Sequence, residues 1–115
     1  MSDNKQTSAT GYACEAQQRL LFVQTVLIGH EIDGLSLTAI TRSWEQRSSK
    51  QNQKNNVFRD LHNLKLAGYA EQIPDSELWR LGPRLIQAAF QVQRHFQRVQ
   101  ERLAEFEQRY TRTPR

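Results

Sequence analysis

Apolar positions along the chain fall into four helical stripes and one short alternating patch. Between Ala13 and Ile28, Ala16, Leu20, Val23 and Leu27 recur at steps of four and three, the repeat of one helix face. Leu21, Phe22, Val26 and Ile28 widen that stripe, so this helix is expected to be covered on more than one side. Gly29 is a natural stop. Ile32–Leu35 is too short to assign alone. Ser36 then stands where an N-cap belongs, and Leu37, Ile40 and Trp44 follow at i, i+3 and i+7, with Trp44 expected as a core anchor. Val57, Leu61 and Leu64 give a third helix its buried face, with Ala67 near its end and Gly68 as the left-handed stop.

Tyr69–Ile73 and Leu78–Leu81 are short strand candidates joined by Pro74-Asp75-Ser76-Glu77. Pro at the second position with small polar residues after it suits a tight turn. Strands this short need a helix layer over them, so Trp79 and Leu81 are expected to face inward and Arg80 outward.

Gly82-Pro83 opens the last segment, with Pro where a first helical turn needs no N–H. Leu85, Ala89, Val92, Phe96, Val99, Leu103, Phe106 and Tyr110 then recur at 4, 3, 4, 3, 4, 3, 4. An average spacing of 3.5 is a coiled-coil seam, and a helix of this length outruns what a small domain can cover. These eight residues are the expected dimerisation set. Arg102 and Glu107 fall at g and the following e, where a parallel dimer pairs them. Phe96 and Tyr110 are bulky for a simple two-stranded coil, so an antiparallel pair, or a bundle joined by the first helix, fits equally well.

Polar positions carry the chemistry. Arg47–Asn56, RSSKQNQKNN, has no apolar residue and reads either as a connector or as a basic lip of Arg47, Lys50 and Lys54 toward phosphates. The exposed side of the third helix shows Asn55, Asn56, Arg59, His62 and Asn63. Asn can pair with adenine and Arg with guanine through two hydrogen bonds in the major groove. The only acid between Gln46 and Ala70 is Asp60. Arg59 has a competing use, because Asp60 or Glu71 could hold it within the fold.

Charge sharpens this picture. Residues 37–65 carry 6 Lys/Arg against 2 Asp/Glu and residues 84–115 carry 7 against 3, whereas residues 1–36 and 66–83 are each net negative. A basic excess on the polar helix and the C-terminal arm favours a polyanionic partner. Hydrophobic content of 37% and a mean hydropathy of -0.76 fit one modest core with a protruding helix or loose ends. No apolar run approaches the ~20 residues of a membrane span, and MSDNKQTSATG lacks the plan of a signal peptide, so a cytoplasmic protein with no membrane partner is expected. Cys14, the only cysteine, is expected as a small buried residue on a helix. An enzyme is not expected. His30, His62 and His95 lack metal-ligand spacing, Gly29, Gly34 and Gly68 are too scattered for a phosphate loop, and no cofactor or metal is implied.

GLSLTAI (Gly34–Ile40), VFRDLHNLKLAGYAEQ (Val57–Gln72) and WRLGPRLIQAA (Trp79–Ala89) resemble, in that order, the DNA-binding domain of IclR-type bacterial transcriptional regulators. In that family a V-x-R-x-L-x-x-L…G-Y segment forms the recognition helix and first wing strand, matched here by Val57, Arg59, Leu61, Leu64, Gly68 and Tyr69. A Y-x-L-G-P-R-L segment closes the wing, matched by Leu81, Gly82, Pro83, Arg84 and Leu85 with Trp79 in the aromatic position. The chain is longer than that pattern between Ile40 and Val57 and lacks its short Gly-containing turn. The resemblance implies double-stranded DNA binding and brings no ligand-sensing domain with it.

The expected fold is mostly α with a small β-hairpin: a flexible N-terminus over 1–11, a winged helix-turn-helix over 12–82, a long dimerisation helix over 83–110 and a flexible tail over 111–115. The expected function is that of a homodimeric, sequence-specific DNA-binding regulator. Arg47, Lys50, Lys54, Asn55, Asn56, Arg59, Asn63, Ser76 and Arg80 are its DNA-contacting candidates, and the N-terminal helix is a further possible part of the dimer contact. The alternative is a winged-helix protein-interaction module whose long helix binds another partner.

Overall fold

The computed structural model describes residues 11–111. Four helices and a two-stranded hairpin follow one another as α1 (Glu15–Val26), α2 (Leu37–Ser48), α3 (Lys54–Ala67), β1 (Ala70–Gln72), β2 (Trp79–Leu81) and α4 (Pro83–Thr111). The expected loose stretches 1–11 and 111–115 lie outside the described residues except for Gly11 and for Thr111, which ends α4. None of the described helices is long and apolar enough to cross a membrane.

The local signals act as their chemistry requires. Ser36 Oγ accepts from Ala39 N at 3.1 Å and starts α2. Gly68, at φ +86°, ends α3 while Tyr69 N donates to Leu64 O and Gly68 N to Lys65 O, the paired closure that a left-handed residue allows. The turn after β1 closes through Ser76 N to Ile73 O, with Pro74 second and Asp75 third at φ +61°. Ser76 Oγ also donates to Ile73 O and accepts from Leu78 N, which ties that side chain into the turn.

The core is built where the three helical stripes meet the hairpin. Val23 of α1 and Leu27 at its C-cap, Ile40 and Trp44 of α2, Val57, Leu61 and Leu64 of α3, and Ala70, Trp79 and Leu81 of the hairpin are buried together. The strands are antiparallel, with Ala70 opposite Leu81, Glu71 opposite Arg80 and Gln72 opposite Trp79. Leu35 adds a one-residue bridge on the far side of β2, exchanging both backbone hydrogen bonds with Trp79 at 2.8 Å. Of the segment Ile32–Leu35, only Leu35 is strand-like, and it covers the outer edge of β2 at Trp79.

Three expectations are corrected. Cys14 is exposed at the N-cap of α1 rather than buried on a helix, because the apolar stripe begins only with Leu20. α1 is covered over only part of the widened stripe among the described residues: Phe22 and Val26 pack against the core, whereas Ala16, Leu21 and Ile28 remain exposed. Arg47–Asn56 comprises the end of α2, a largely exposed loop over 49–53 and the first turn of α3, and the loop is held in place rather than a flexible connector. Ser49 and Asn52 take left-handed backbone conformations at φ 60° and 59°, doing the work of the missing glycine. Gln53 anchors the loop: its amide nitrogen donates to Gln51 O, its backbone N–H to Glu45, and its side-chain oxygen accepts from Trp44 Nε1 at 3.2 Å.

α4 leaves the domain through a close backbone crossing. Gly82 N donates to Tyr69 O at 2.9 Å and Arg84 N to Gly68 O at 3.0 Å. A Cβ at Gly82 would collide with Gly68 O and stand 2.7 Å from Ala70 N, so only glycine lets the strands and helix meet. Gly82→Ala should therefore lower stability by about 1–3 kcal/mol in urea denaturation, the cost of forcing an extra carbon into a packed contact. A neutral result would mean that the crossing relaxes freely.

Candidate nucleic-acid interface

α3 presents two unlike sides. Val57, Asp60, Leu61 and Leu64 face the core; Asn55, Phe58, Arg59, His62, Asn63, Lys65 and Leu66 are exposed. The acid is the informative member. Arg19 of α1 reaches Asp60 with Nε at 2.6 Å from Oδ2 and Nη2 at 3.2 Å from Oδ1, a two-pronged pair whose side chains are only 13% and 8% exposed. The one carboxylate of α3 is thus turned inward and neutralised from behind. What remains toward solvent is Lys54, Arg59 and Lys65 beside Asn55, Asn63, His62, Phe58 and Leu66, with no negative charge.

The start of α3 adds to this. Gln53 makes no side-chain cap, no acid occupies the first turn, and Lys54 stands there instead. The carboxylate that answers this helix end comes from α2: Glu45 accepts from the backbone N–H of Gln53. Arg42 of α2 lines the same hollow as Lys54, Asn52 and Glu45. Arg42 and Lys65 are absent from the sequence-based set; reading the polar side of α2 and the last turn of α3 for charge, as the middle of α3 was read, would have found them.

The sequence-based candidates separate into free and engaged groups. Lys54, Asn55 and Arg59 lie exposed on α3, and Arg59 pairs with neither Asp60 nor Glu71, which are taken by Arg19 and Arg80. Asn63 is exposed but donates to Arg59 O, one turn back. Asn56 is half-buried and donates to the Gln53 side chain. Arg80 Nε donates to Glu71 Oε2 at 2.8 Å directly across the hairpin. Arg47 lies over the Phe22 ring at 5.9 Å, and Lys50 pairs with Glu15, so both are gathered onto α1 rather than beside Arg59. Ser76 serves the wing turn. His62 joins helix to wing, its ring edge-on to both Phe58 and Trp79.

The expected dimerisation set divides as well. Leu85, with Ile86, packs on the domain's own core. Ala89 is exposed, and Val92, Phe96, Val99, Leu103, Phe106 and Tyr110 stand 44% to 68% exposed along an unbroken helix that has no buried residue. Each large apolar side chain here, already about half covered by its own helix, would recover roughly 1 kcal/mol on full burial. Comparison with protein-family models, with curated proteins and with solved structures finds no match for this chain.

The inward acid is directly testable. Asp60→Ala should destabilise the fold by about 3 kcal/mol, since it strands a buried guanidinium, and the double variant Arg19→Met/Asp60→Leu should recover most of that loss. Urea midpoints measure both. A loss below about 1 kcal/mol would place the pair in solvent.

Proposed function

We propose that this chain is a sequence-specific, double-stranded-DNA-binding transcriptional regulator that acts as a cytoplasmic homodimer through α4. The observation that carries the reading is the charge sorting of α3. Its only acid is buried against Arg19, and its open side offers Lys54, Asn55, Arg59, Asn63 and Lys65. An α-helix fits the major groove, where Asn and Arg can each make two hydrogen bonds to a base edge and Lys can meet phosphates. The hairpin beside it, fastened through His62 and Trp79, is then the wing. The motif resemblance to IclR-type DNA-binding domains supports the same assignment for Arg59 and for the wing-closing segment Leu81–Leu85.

A protein-contact module is the competing reading, and one observation favours it. Leu66 is 87% exposed on the same side of α3 as Arg59. In the regulator reading such a side chain meets thymine methyl groups.

Selection of bound duplexes from a random pool, followed by titration over a salt series, tests the proposal. Six phosphate contacts per dimer give a log–log slope of about -5. Arg59→Ala should cost about 1–3 kcal/mol of affinity for the selected site and relax its preference at one base pair, whereas Lys54→Ala should weaken binding evenly across sequences. Absence of binding to any duplex at about 50 mM salt overturns the regulator reading.

A further inference from the structure

The exposed seam of α4 is unequal in size between its two ends, with Phe96 the one large side chain in its first half. Small residues come first, with Ala89 and Val92; large ones come last, with Leu103, Phe106 and Tyr110; Phe96 and Val99 lie between. We infer that a second copy of the chain covers this seam in the antiparallel sense, a deepening that rests on the homodimer reading above.

When two such helices run in opposite directions, a layers against d of the partner. One register then overlaps the full seam. It sets Ala89 against the partner's Phe106, Val92 against the partner's Leu103, and Phe96 against the partner's Val99. Each contact is made twice, and each places a smaller side chain on a larger one, the condition for filling a core without voids. The same register brings the partner's Tyr110 beside Leu85, which already rests on the domain's own core. The seam thereby continues into the domain without a gap. A parallel, in-register pair instead stacks Phe96, Phe106 and Tyr110 each on its own copy and leaves Ala89 facing Ala89.

Electrostatics allow this choice. In the antiparallel register Arg102 lies beside His95 of the partner subunit, Arg109 beside Ala88 of the partner subunit, and Glu107 beside Ile86 of the partner subunit, with no pair of fixed like charges. The parallel form gains Arg102–Glu107 pairs between chains, but exposed ion pairs contribute little compared with packed apolar layers. The antiparallel pair also separates the two Leu85 residues by about 37 Å along the helices at ~1.5 Å per residue, the scale of one turn of duplex DNA.

Cysteine pairing on the full chain, with Cys14→Ser as background, tests the orientation. Ala89→Cys and Phe106→Cys are made as separate proteins, mixed and mildly oxidised; Val92→Cys with Leu103→Cys forms a second, independent pair. The expected result is a disulfide-linked band of doubled mass in each mixture and only the single-chain band from each variant alone. Copies of Ala89 in this arrangement stand about 26 Å apart along the helices, beyond disulfide reach. Doubled mass from Ala89→Cys alone overturns the antiparallel pairing while leaving a dimer. A monomer in light scattering of the unsubstituted chain overturns the homodimer reading itself.

Discussion

Everything in this fold converges on one backbone crossing, where Gly82 passes over Gly68. Gly68 ends α3 in a left-handed turn, and its carbonyl then accepts from Arg84, the second residue of α4. Two residues earlier in the chain, Gly82 donates to Tyr69. The end of one helix, the hairpin and the start of the next helix therefore share one small set of hydrogen bonds. Because a side chain at Gly82 would collide with backbone rather than with another side chain, no rotamer change can relieve it. The close approach sets the direction in which α4 leaves the domain.

A second constraint sorts charge. Arg19 and Asp60 lie 41 residues apart, yet their pairing decides what the surface of α3 looks like. Burying an ion pair is weak support for stability on its own, because desolvation offsets most of the attraction. Here its effect on the outside is plainer: a helix with a carboxylate at its centre presents an acid-free side. The remaining carboxylates near the helix are engaged too, Glu71 by Arg80 and Glu45 by the backbone of Gln53.

Elements governed by local period or by single punctuating residues were legible in the sequence. The stripes of α2, α3 and α4, the Ser36 cap, the Gly68 stop and the Pro74 turn each depend on residues within a few positions of one another. What was not legible depends on distance or on backbone shape. The Leu35–Trp79 bridge is one residue long and has no period to read. The loop before α3 is held by left-handed Ser49 and Asn52 and by the many contacts of Gln53, none of which leaves a pattern in composition. The candidate site divides the same way. Exposed Asn55 and Arg59 follow from helical phase, while the partner of Asp60 requires knowing that α1 crosses behind α3. The Arg80–Glu71 pair stood within reach of the sequence, since the turn at Pro74 sets a register that places the two opposite each other.

The joint at Gly82 leaves no linker between the wing and α4: β2 ends at Leu81 and the helix begins at Pro83. A flexible tether lets two DNA-reading modules accept half-sites at several separations, because the chain between them absorbs the difference. A joint made of crossed backbones absorbs very little. With two copies clasped along α4, adding or removing base pairs between half-sites would turn one site about the duplex axis while the protein held its own geometry. On the proposed reading of α3 and α4, such a pair would respond to the phase of its two half-sites as well as to their bases.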